Sequence, residues 1–339
     1  MTTCRWHCRP CWVATTKSDR HRCANVPDYF RQAVLPSHIS AHTGEVDTSA
    51  SHRSPFSLAL TIIVVSADSG PTLRECVRCV LASTVSLELI LIDNASRDGV
   101  PAAIERAYAH DARLKVIYNH RNLGFGPAVN LAAKQANGPA LLVLNPDCVL
   151  REDDLPRLLA LLASRPKAGL IGAVVCDADG RPDPASWRRD PLLQRSLNSM
   201  FDRPGEKVNV EREIPAEVIE AEAVSGAVML LPRAMFQRLG GFDEDYFLHC
   251  EDLDLCRRVR DLGYQVLLAG DIRVKHGKGS SSRHRPVFVS RYKHRGMWRW
   301  FRQHDPSARK PWLAAAVWLG IWTHFLLQIP GQLWRLLRR

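Results

Sequence analysis

Acidic side chains are nearly absent from the last fifth of this 339-residue chain: from Ile272 to Arg339 there are fifteen Lys and Arg but one acid, Asp305. The remainder balances to −3, so the overall charge of +11 belongs to a strongly basic C-terminal tail on a nearly neutral body. Such a tail suits nucleic acid, anionic lipid or phosphorylated substrates, and charge alone does not choose among them. Residues 1–55 lack apolar periodicity and any run resembling a signal-peptide core, and their Ser, Thr, His and Arg content predicts a disordered extension. Cys76 and Cys79 have CxxC spacing without a second pair and sit inside a helical pattern, which argues against a metal or redox role. With Cys148, Cys176, Cys250 and Cys256 they are expected to be buried free thiols in a reducing compartment. Cys4, Cys8, Cys11 and Cys23, near His7 and His21, match no standard finger spacing, and a zinc knot there stays open. There is no internal repeat. A Gly-rich loop with a paired Lys is also missing, which removes the triphosphate site of a nucleotidyltransferase. Gly124-Phe125-Gly126 begins a GxGxxG pattern, but Val129 stands at its third glycine and the loop follows the third strand rather than the first. That excludes a dinucleotide-dependent oxidoreductase.

With 46% hydrophobic residues, the chain can bury one large core or two modest ones. Leu58–Ser66 is a near-continuous β-branched run, as in a strand covered on both faces. Apolar runs at Leu87–Asp93, Leu114–Tyr118, Ala140–Asn145 and Ala168–Cys176 alternate with helical patterns around Pro71–Ser83, Val100–His110, Pro127–Asn137 and Asp153–Ser164. The alternation predicts an α/β fold with a mostly parallel central sheet and helices on both faces. Ligands in such sheets bind beyond the carboxyl ends of the strands, where this chain places Asp68, Asp93-Asn94 and Asn145-Pro146-Asp147. Residues 177–219, rich in Pro, Arg and Asp, predict an excursion over the sheet. Regular structure resumes at Ala221–Leu231.

Between Gly240 and Leu255 six carboxylates fall within twelve residues. Leu255, Val259 and Leu262 recur at helical spacing, which puts Glu251, Asp252 and Asp254 in the first turn of an amphipathic helix. A helix start held on the core by its apolar face can present a rigid carboxylate for deprotonating an alcohol. Acids also favour helix N-termini through the macrodipole, and Asp254 can pair with Arg258 one turn on.

Seven motifs stand in order: Val65-Ser66-Ala67-Asp68-Ser69-Gly70, Leu91-Ile92-Asp93-Asn94-Ala95-Ser96-Arg97-Asp98-Gly99, the segment Asn122 to Asn130, Asn145-Pro146-Asp147, Ser225-Gly226-Ala227, Gly240-Gly241-Phe242-Asp243-Glu244, and Glu251-Asp252-Leu253-Asp254-Leu255. From about Ala59 to Ser282 the chain thereby resembles the family 2 glycosyltransferases of GT-A fold, and within them the rhamnosyltransferase-like branch. The resemblance implies that Asp93 hydrogen-bonds a nucleotide base, with Asp68 near the nucleoside and Asn122, Gly124, Gly126 and Asn145 also on the donor. Asp147 matches the last acid of a metal-binding motif for Mg²⁺ or Mn²⁺, and His276 matches a histidine that completes the metal site or contacts phosphate. Asp252 matches the general base of an inverting transfer, with Glu251 beside it. Ala67 replaces the usual aromatic and Asp68 the usual Asn, predicting weaker donor binding or an altered nucleotide preference. The alternative this opens is a non-catalytic relative binding lipid or nucleic acid through its tail. The retained Asp93, Asp147 and Asp252 count against it.

Three segments follow: an extension at 1–55, a GT-A domain at 56–282, and basic, aromatic, membrane-associating helices at 283–339. Arg283–His304 alternates cations with aromatics. Trp312–Ile329 is mainly apolar, bracketed by Pro311 and Pro330, at the lower limit for spanning a bilayer and suited to a membrane interface. The expected donor is dTDP-L-rhamnose, with a UDP-sugar second. The expected acceptor is a cell-envelope glycolipid or polysaccharide, at the cytoplasmic face of a bacterial-type membrane with an anionic surface. No nucleic-acid partner is expected.

Overall fold

The computed structural model describes residues 58–277 and 285–337, with side chains as far as Trp334. The 1–55 extension, its cysteines and histidines, and Lys278 to His284 lie outside the described residues. Strand β1 (Leu60–Ser66) is buried along its whole length, with Ile62 and Val64 in one core and Ile63 and Val65 in the other. A β-branched run does this because alternate side chains leave opposite faces of a strand. In α1 (Thr72–Leu81), Leu73, Cys76, Val77 and Val80 repeat at one-face helical spacing and bury that stripe in the first core. The alternation continues through β2 (Leu87–Asp93), α2 (Val100–Ala107), β3 (Leu114–Tyr118), α3 (Phe125–Ala133) and β4 (Ala140–Leu144). These four strands are parallel, in the spatial order β3-β2-β1-β4.

The second half is mixed. It contains β5 (Cys148–Val149), α4 (Asp154–Ser164), β6 (Ala168–Cys176), β7 (Trp187–Arg188), α5 (Leu193–Met200), β8 (Val218–Glu220), β9 (Ala223–Val224), β10 (Val228–Pro232), α6 (Arg233–Arg238), α7 (Glu251–Asp261) and β11 (Gln265–His276). Strand β10 runs antiparallel between β4 and β6, and β11 runs parallel to β6. The two reversals restore direction, so β6 and β11 end at the same sheet edge as β1, β2 and β4. The turn before β10 reaches that edge too. Two core clusters sandwich the sheet: α1, α2 and α4 cover one face, and α3, α6 and α7 the other. Each fully buried Leu or Ile among them contributes about 1.5–3 kcal/mol. Leu262, counted in the apolar stripe of α7 from the sequence, caps its C-terminus and is exposed; Leu253, Leu255, Cys256 and Val259 form the buried face. Cys76, Cys148, Cys176, Cys250 and Cys256 are buried and Cys79 half-buried, all of them free thiols.

The C-terminal segment forms two helices, α8 (Pro286–His304) and α9 (Pro311–Leu337). Helix α8 belongs to the folded body. Its Trp300 is fully buried in the second core, Arg299 pairs with Asp243 and Asp245, and His304 Nε2 lies 2.8 Å from Asp254 Oδ1. Part of the basic charge seen in the sequence is therefore neutralised inside the protein by the acidic segment. Helix α9 runs on through Pro330, which removes one internal hydrogen bond without ending the helix. It is tied to α8 where His294 Nε2 meets His324 Nδ1 at 3.0 Å.

Candidate active site

The ends of β1, β2 and β3 are stitched to one another through side chains. Asp68 has φ of +54°, a left-handed conformation that Asp and Asn tolerate best among residues with a side chain. Its carboxylate accepts the Arg97 N–H at 2.6 Å, and its own N–H donates to Ser96 Oγ. Asp93, buried at the last position of β2, accepts the Ser96 N–H at 3.0 Å. Asn94, 2% exposed, fixes the third loop: its amide donates to Asn122 Oδ1 and the Gly124 carbonyl, and its oxygen accepts from Asn119 and the Leu123 N–H. Sequence reading placed Gly124 and Gly126 against a donor. In the structure both also approach the acidic segment closely. Gly124 has φ of +92°, and a Cβ there would sit 2.6 Å from the Phe247 carbonyl oxygen; one on Gly126 would meet Phe242 Cβ at 3.0 Å. Asn130 completes this seam, bonding both the N–H and the carbonyl of Phe242.

A second group gathers where β4 and β11 end. His276 Nε2 lies 3.0 Å from Asp147 Oδ1 and 3.2 Å from Asn145 Nδ2, while His276 Nδ1 is buried without a partner. One ring nitrogen cannot both donate to the carboxylate and accept from the amide. Adjacent ligands of an octahedral cation with bonds of about 2.1 Å are separated by about 3 Å, so the carboxylate–imidazole pair fits a divalent ion. Among the described residues no three His, Cys, Asp or Glu side chains cluster as a complete metal site. An ion held by this pair would take its remaining ligands from substrate and water, as is usual for Mg²⁺-type sites.

The third group lies at the start of α7. His249 and Cys250 both have positive φ, +68° and +72°, directly before Glu251. Strain of this kind costs of order 1–3 kcal/mol per residue and persists only where surrounding contacts impose it. Asp252 pairs with Arg188 of β7, its Oδ2 also accepts the Gly226 N–H at 3.0 Å, and its Oδ1 accepts the Leu253 N–H at 2.8 Å. A Cβ on Gly226 would crowd Asp252 Cβ at 3.0 Å, which accounts for the glycine in Ser225-Gly226-Ala227. Burial acts to raise the Asp252 pKa, but the charge and hydrogen bond of Arg188, with the two backbone N–H groups, hold it below the ordinary range. Glu251 has no such partner. Burial, then the Asp252 charge, push it up to about 8, and its Oε2 is buried without a hydrogen bond. Two adjacent carboxyls are thus driven to opposite protonation states, the arrangement used in acid–base catalysis. Asp254 takes a structural part, as its spacing to Arg258 suggested: it is 1% exposed and bonds Arg258 at 2.7 Å as well as His304.

The family model for glycosyl transferase family 2 matches residues 61–212. The chain is 26% identical over 245 residues to the N-acetylglucosaminyl-diphospho-decaprenol L-rhamnosyltransferase of Mycobacterium tuberculosis, covering 67% of this chain and 79% of that one. Residues 61–212 form a glycosyl transferase family 2 domain. This glycosyltransferase is also 28% identical over 212 residues to the rhamnosyltransferase WbbL of Escherichia coli, covering 52% of this chain and 78% of the relative. Among solved structures it is similar to the mannosyltransferase PcManGT of Pyrobaculum calidifontis, with a TM-score of 0.52 and 20% identity over 77% of this chain and 69% of that one. That likeness shows the fold, and the GT-A architecture expected from the sequence is the one found.

The span matched by the family model holds Asp68, Asp93, Asn145 and Asp147, while Glu251, Asp252 and His276 lie beyond it. Two further residues, Asn94 and Arg188, order the site without having been assigned a role from the sequence. Asn94 was visible as the neighbour of Asp93, and its burial in a loop required four hydrogen bonds. Arg188 carried no signal in its own segment, which is rich in arginine and proline.

Proposed function

We propose that this glycosyltransferase transfers a hexose, with L-rhamnose the first candidate, from a nucleotide-diphosphate donor to a hydroxyl of a lipid-diphosphate-linked or polysaccharide acceptor of the cell envelope. The observation that carries the reading is the convergence of Asp93, the Asp147–His276 pair and Asp252 on one edge of the sheet, at the ends of β2, β4 and β11 and the turn before β10. Asp93 and Asp68 would meet the nucleoside, and with Ala67 in place of a stacking ring, base recognition would rest on hydrogen bonds. Asn122, Gly124, Gly126 and Asn145 would shape the donor side through the loops they hold. Asp147 and His276 would hold a divalent cation, Mg²⁺ or Mn²⁺, which neutralises diphosphate charge when bound. Asp252 would take the proton of the acceptor hydroxyl as that oxygen bonds to the anomeric carbon. The bond from that carbon to the diphosphate oxygen breaks on the opposite face, and the nucleoside diphosphate departs as the anion. Attack from the opposite face inverts configuration without a covalent intermediate. Glu251, protonated, would donate a hydrogen bond to a sugar oxygen beside it.

Helix α9 supports placement at the cytoplasmic membrane surface. Trp312, Trp318, Leu319, Leu326 and Leu327 are exposed along it, beyond Arg309 and Lys310. Aromatic side chains flanked by cations suit an interfacial helix on anionic lipid.

Thermal shift tests both halves of the reading. Wild type and Asp147→Ala are screened with dTDP-L-rhamnose, UDP-sugars and GDP-sugars, with and without Mn²⁺. A donor at 100 times its Kd adds about 2.7 kcal/mol to stability, so one nucleotide sugar should give a Mn²⁺-dependent rise that Asp147→Ala loses. No shift with any of them, from a folded protein, would favour a non-catalytic lipid binder. Flotation with phosphatidylglycerol vesicles tests the placement: loss of binding on truncation after Lys310 supports it, and full binding by the truncated chain refutes it.

A further inference from the structure

We propose that Arg188 is a positioning residue for the transfer: the excursion over the sheet delivers its guanidinium to Asp252 Oδ2, leaving Oδ1 as the oxygen that receives the acceptor proton. This rests on the reading of Asp252 as proton acceptor. The register of a short ribbon places the arginine, since β7 pairs with β9 and sets Arg188 opposite Ala223. Its Nη2 donates to the Val224 carbonyl at 2.6 Å as well as to Asp252, so the guanidinium is anchored on one side and presented on the other. The rest of the excursion is fastened to α7 and to the residue before β9. Asp190, 3% exposed, pairs with both Arg257 and Arg260 of α7, and Arg195 pairs with Glu222 at 2.7 Å.

Counting lone pairs identifies the reactive oxygen. Each carboxylate oxygen offers about two acceptor positions. Oδ2 of Asp252 has two donors, Arg188 and the Gly226 N–H, whereas Oδ1 has one, the Leu253 N–H. One position on Oδ1 is left for a hydroxyl. The side chains of Arg188 and Asp252 are only 13% and 15% exposed, so solvent screens their attraction little. The neighbouring Glu251, which makes no hydrogen bond to the arginine, is pushed up to about 8 by burial and then by the Asp252 charge. At Asp252 the charge and hydrogen bond of Arg188 are the largest influences opposing burial.

The test uses the full chain with Arg188→Gln and Arg188→Lys, assayed with dTDP-L-rhamnose, Mn²⁺ and a short polyprenyl-diphosphate N-acetylglucosamine. Arg188→Gln should lower kcat about 10²-fold, the scale of a general-base contribution. It should leave donor-induced thermal shift in place and move the acid limb of the kcat/KM profile to higher pH; Arg188→Lys should recover part of both. A second readout needs no substrate. Without Arg188, buried Asp252 favours its protonated form, so the stability gap between wild type and Arg188→Gln should narrow from pH 7 to pH 5. An unchanged acid limb together with an equal gap at both pH values would overturn the inference. Full activity in Asp252→Asn would sink the proton-acceptor reading instead, and the stability titration would still report the Arg188–Asp252 contact, so the two failures are told apart.

Discussion

The half of the sheet built from β1 to β4 and the half built around α7 hold their polar residues in different ways. In the first, carboxylates and amides at consecutive strand ends bond to one another's backbone: Asp68 to the Arg97 N–H, Asp93 to the Ser96 N–H, Asn94 to the Leu123 N–H. In the second, polar and charged side chains are held by side-chain partners far away in sequence. Arg188 reaches Asp252 across 64 residues, Arg299 reaches Asp243 across 56, and His304 reaches Asp254 across 50. Loops stitched by backbone N–H groups keep a fixed shape at little electrostatic cost. Buried ion pairs are costly to leave unpartnered, and they displace protonation equilibria, as Glu251 and Asp252 show. A half stitched by backbone hydrogen bonds, the proposed donor side, thus adjoins a half whose two carboxyls are driven in opposite directions, the proposed site of proton transfer.

The sharpest test of that division separates binding from turnover. Asp252→Asn should lower kcat by about 10²–10⁴-fold with donor KM little changed, whereas Asp93→Ala should raise donor KM and leave kcat within a few-fold, roughly the uniform-binding pattern. Steady-state kinetics with varied donor decide it, and a kcat loss of equal size in both variants would erase the distinction. The seam between the halves should respond more modestly. In Gly124→Ala the new Cβ meets the Phe247 carbonyl at 2.6 Å in a backbone conformation unfavourable to alanine. A loss of about 1–3 kcal/mol is expected, read as a lower Tm. An unaltered Tm would mean that the acidic segment docks without this contact.

The same division explains how far the sequence could be read. Strand runs, the helical stripe of α1 and the acids at strand ends follow from local periodicity and short motifs, and the fold agrees with them. The Asn122–Asn130 motif was legible as a motif, but its partner was not. Asn130 bonds Phe242 across 112 residues, and nothing in either segment alone names the other. Arg188 was hidden for the same reason, because only the β7–β9 pairing reveals which of several neighbouring cations faces Asp252. The internal contacts of the basic tail were not legible, since charge composition does not show that Arg299 and His304 face Asp243 and Asp254.

The smallest expected effect is a slope, and it belongs to the second half alone. Glu251 has a folded-state pKa of about 8 against an ordinary value of 4.5. A carboxyl raised in this way adds stability fully below the ordinary value, because the folded protein keeps a proton that the unfolded chain also holds. That stability declines as pH rises from about 4.5 to about 8, where only the unfolded chain ionises, and it levels off above. Glutamine undergoes no such change. The Tm of Glu251→Gln relative to wild type should therefore climb between pH 5 and pH 8 and stay level beyond it. Asp252 has the opposite shift, downward from 3.8, so its own titration falls outside this window and does not mask the slope. A difference independent of pH from 5 to 8 would mean that Glu251 is already ionised in the folded protein. The α7 half would then hold two adjacent carboxylates on one arginine, and the proton partition that sets it apart from the donor half would be gone.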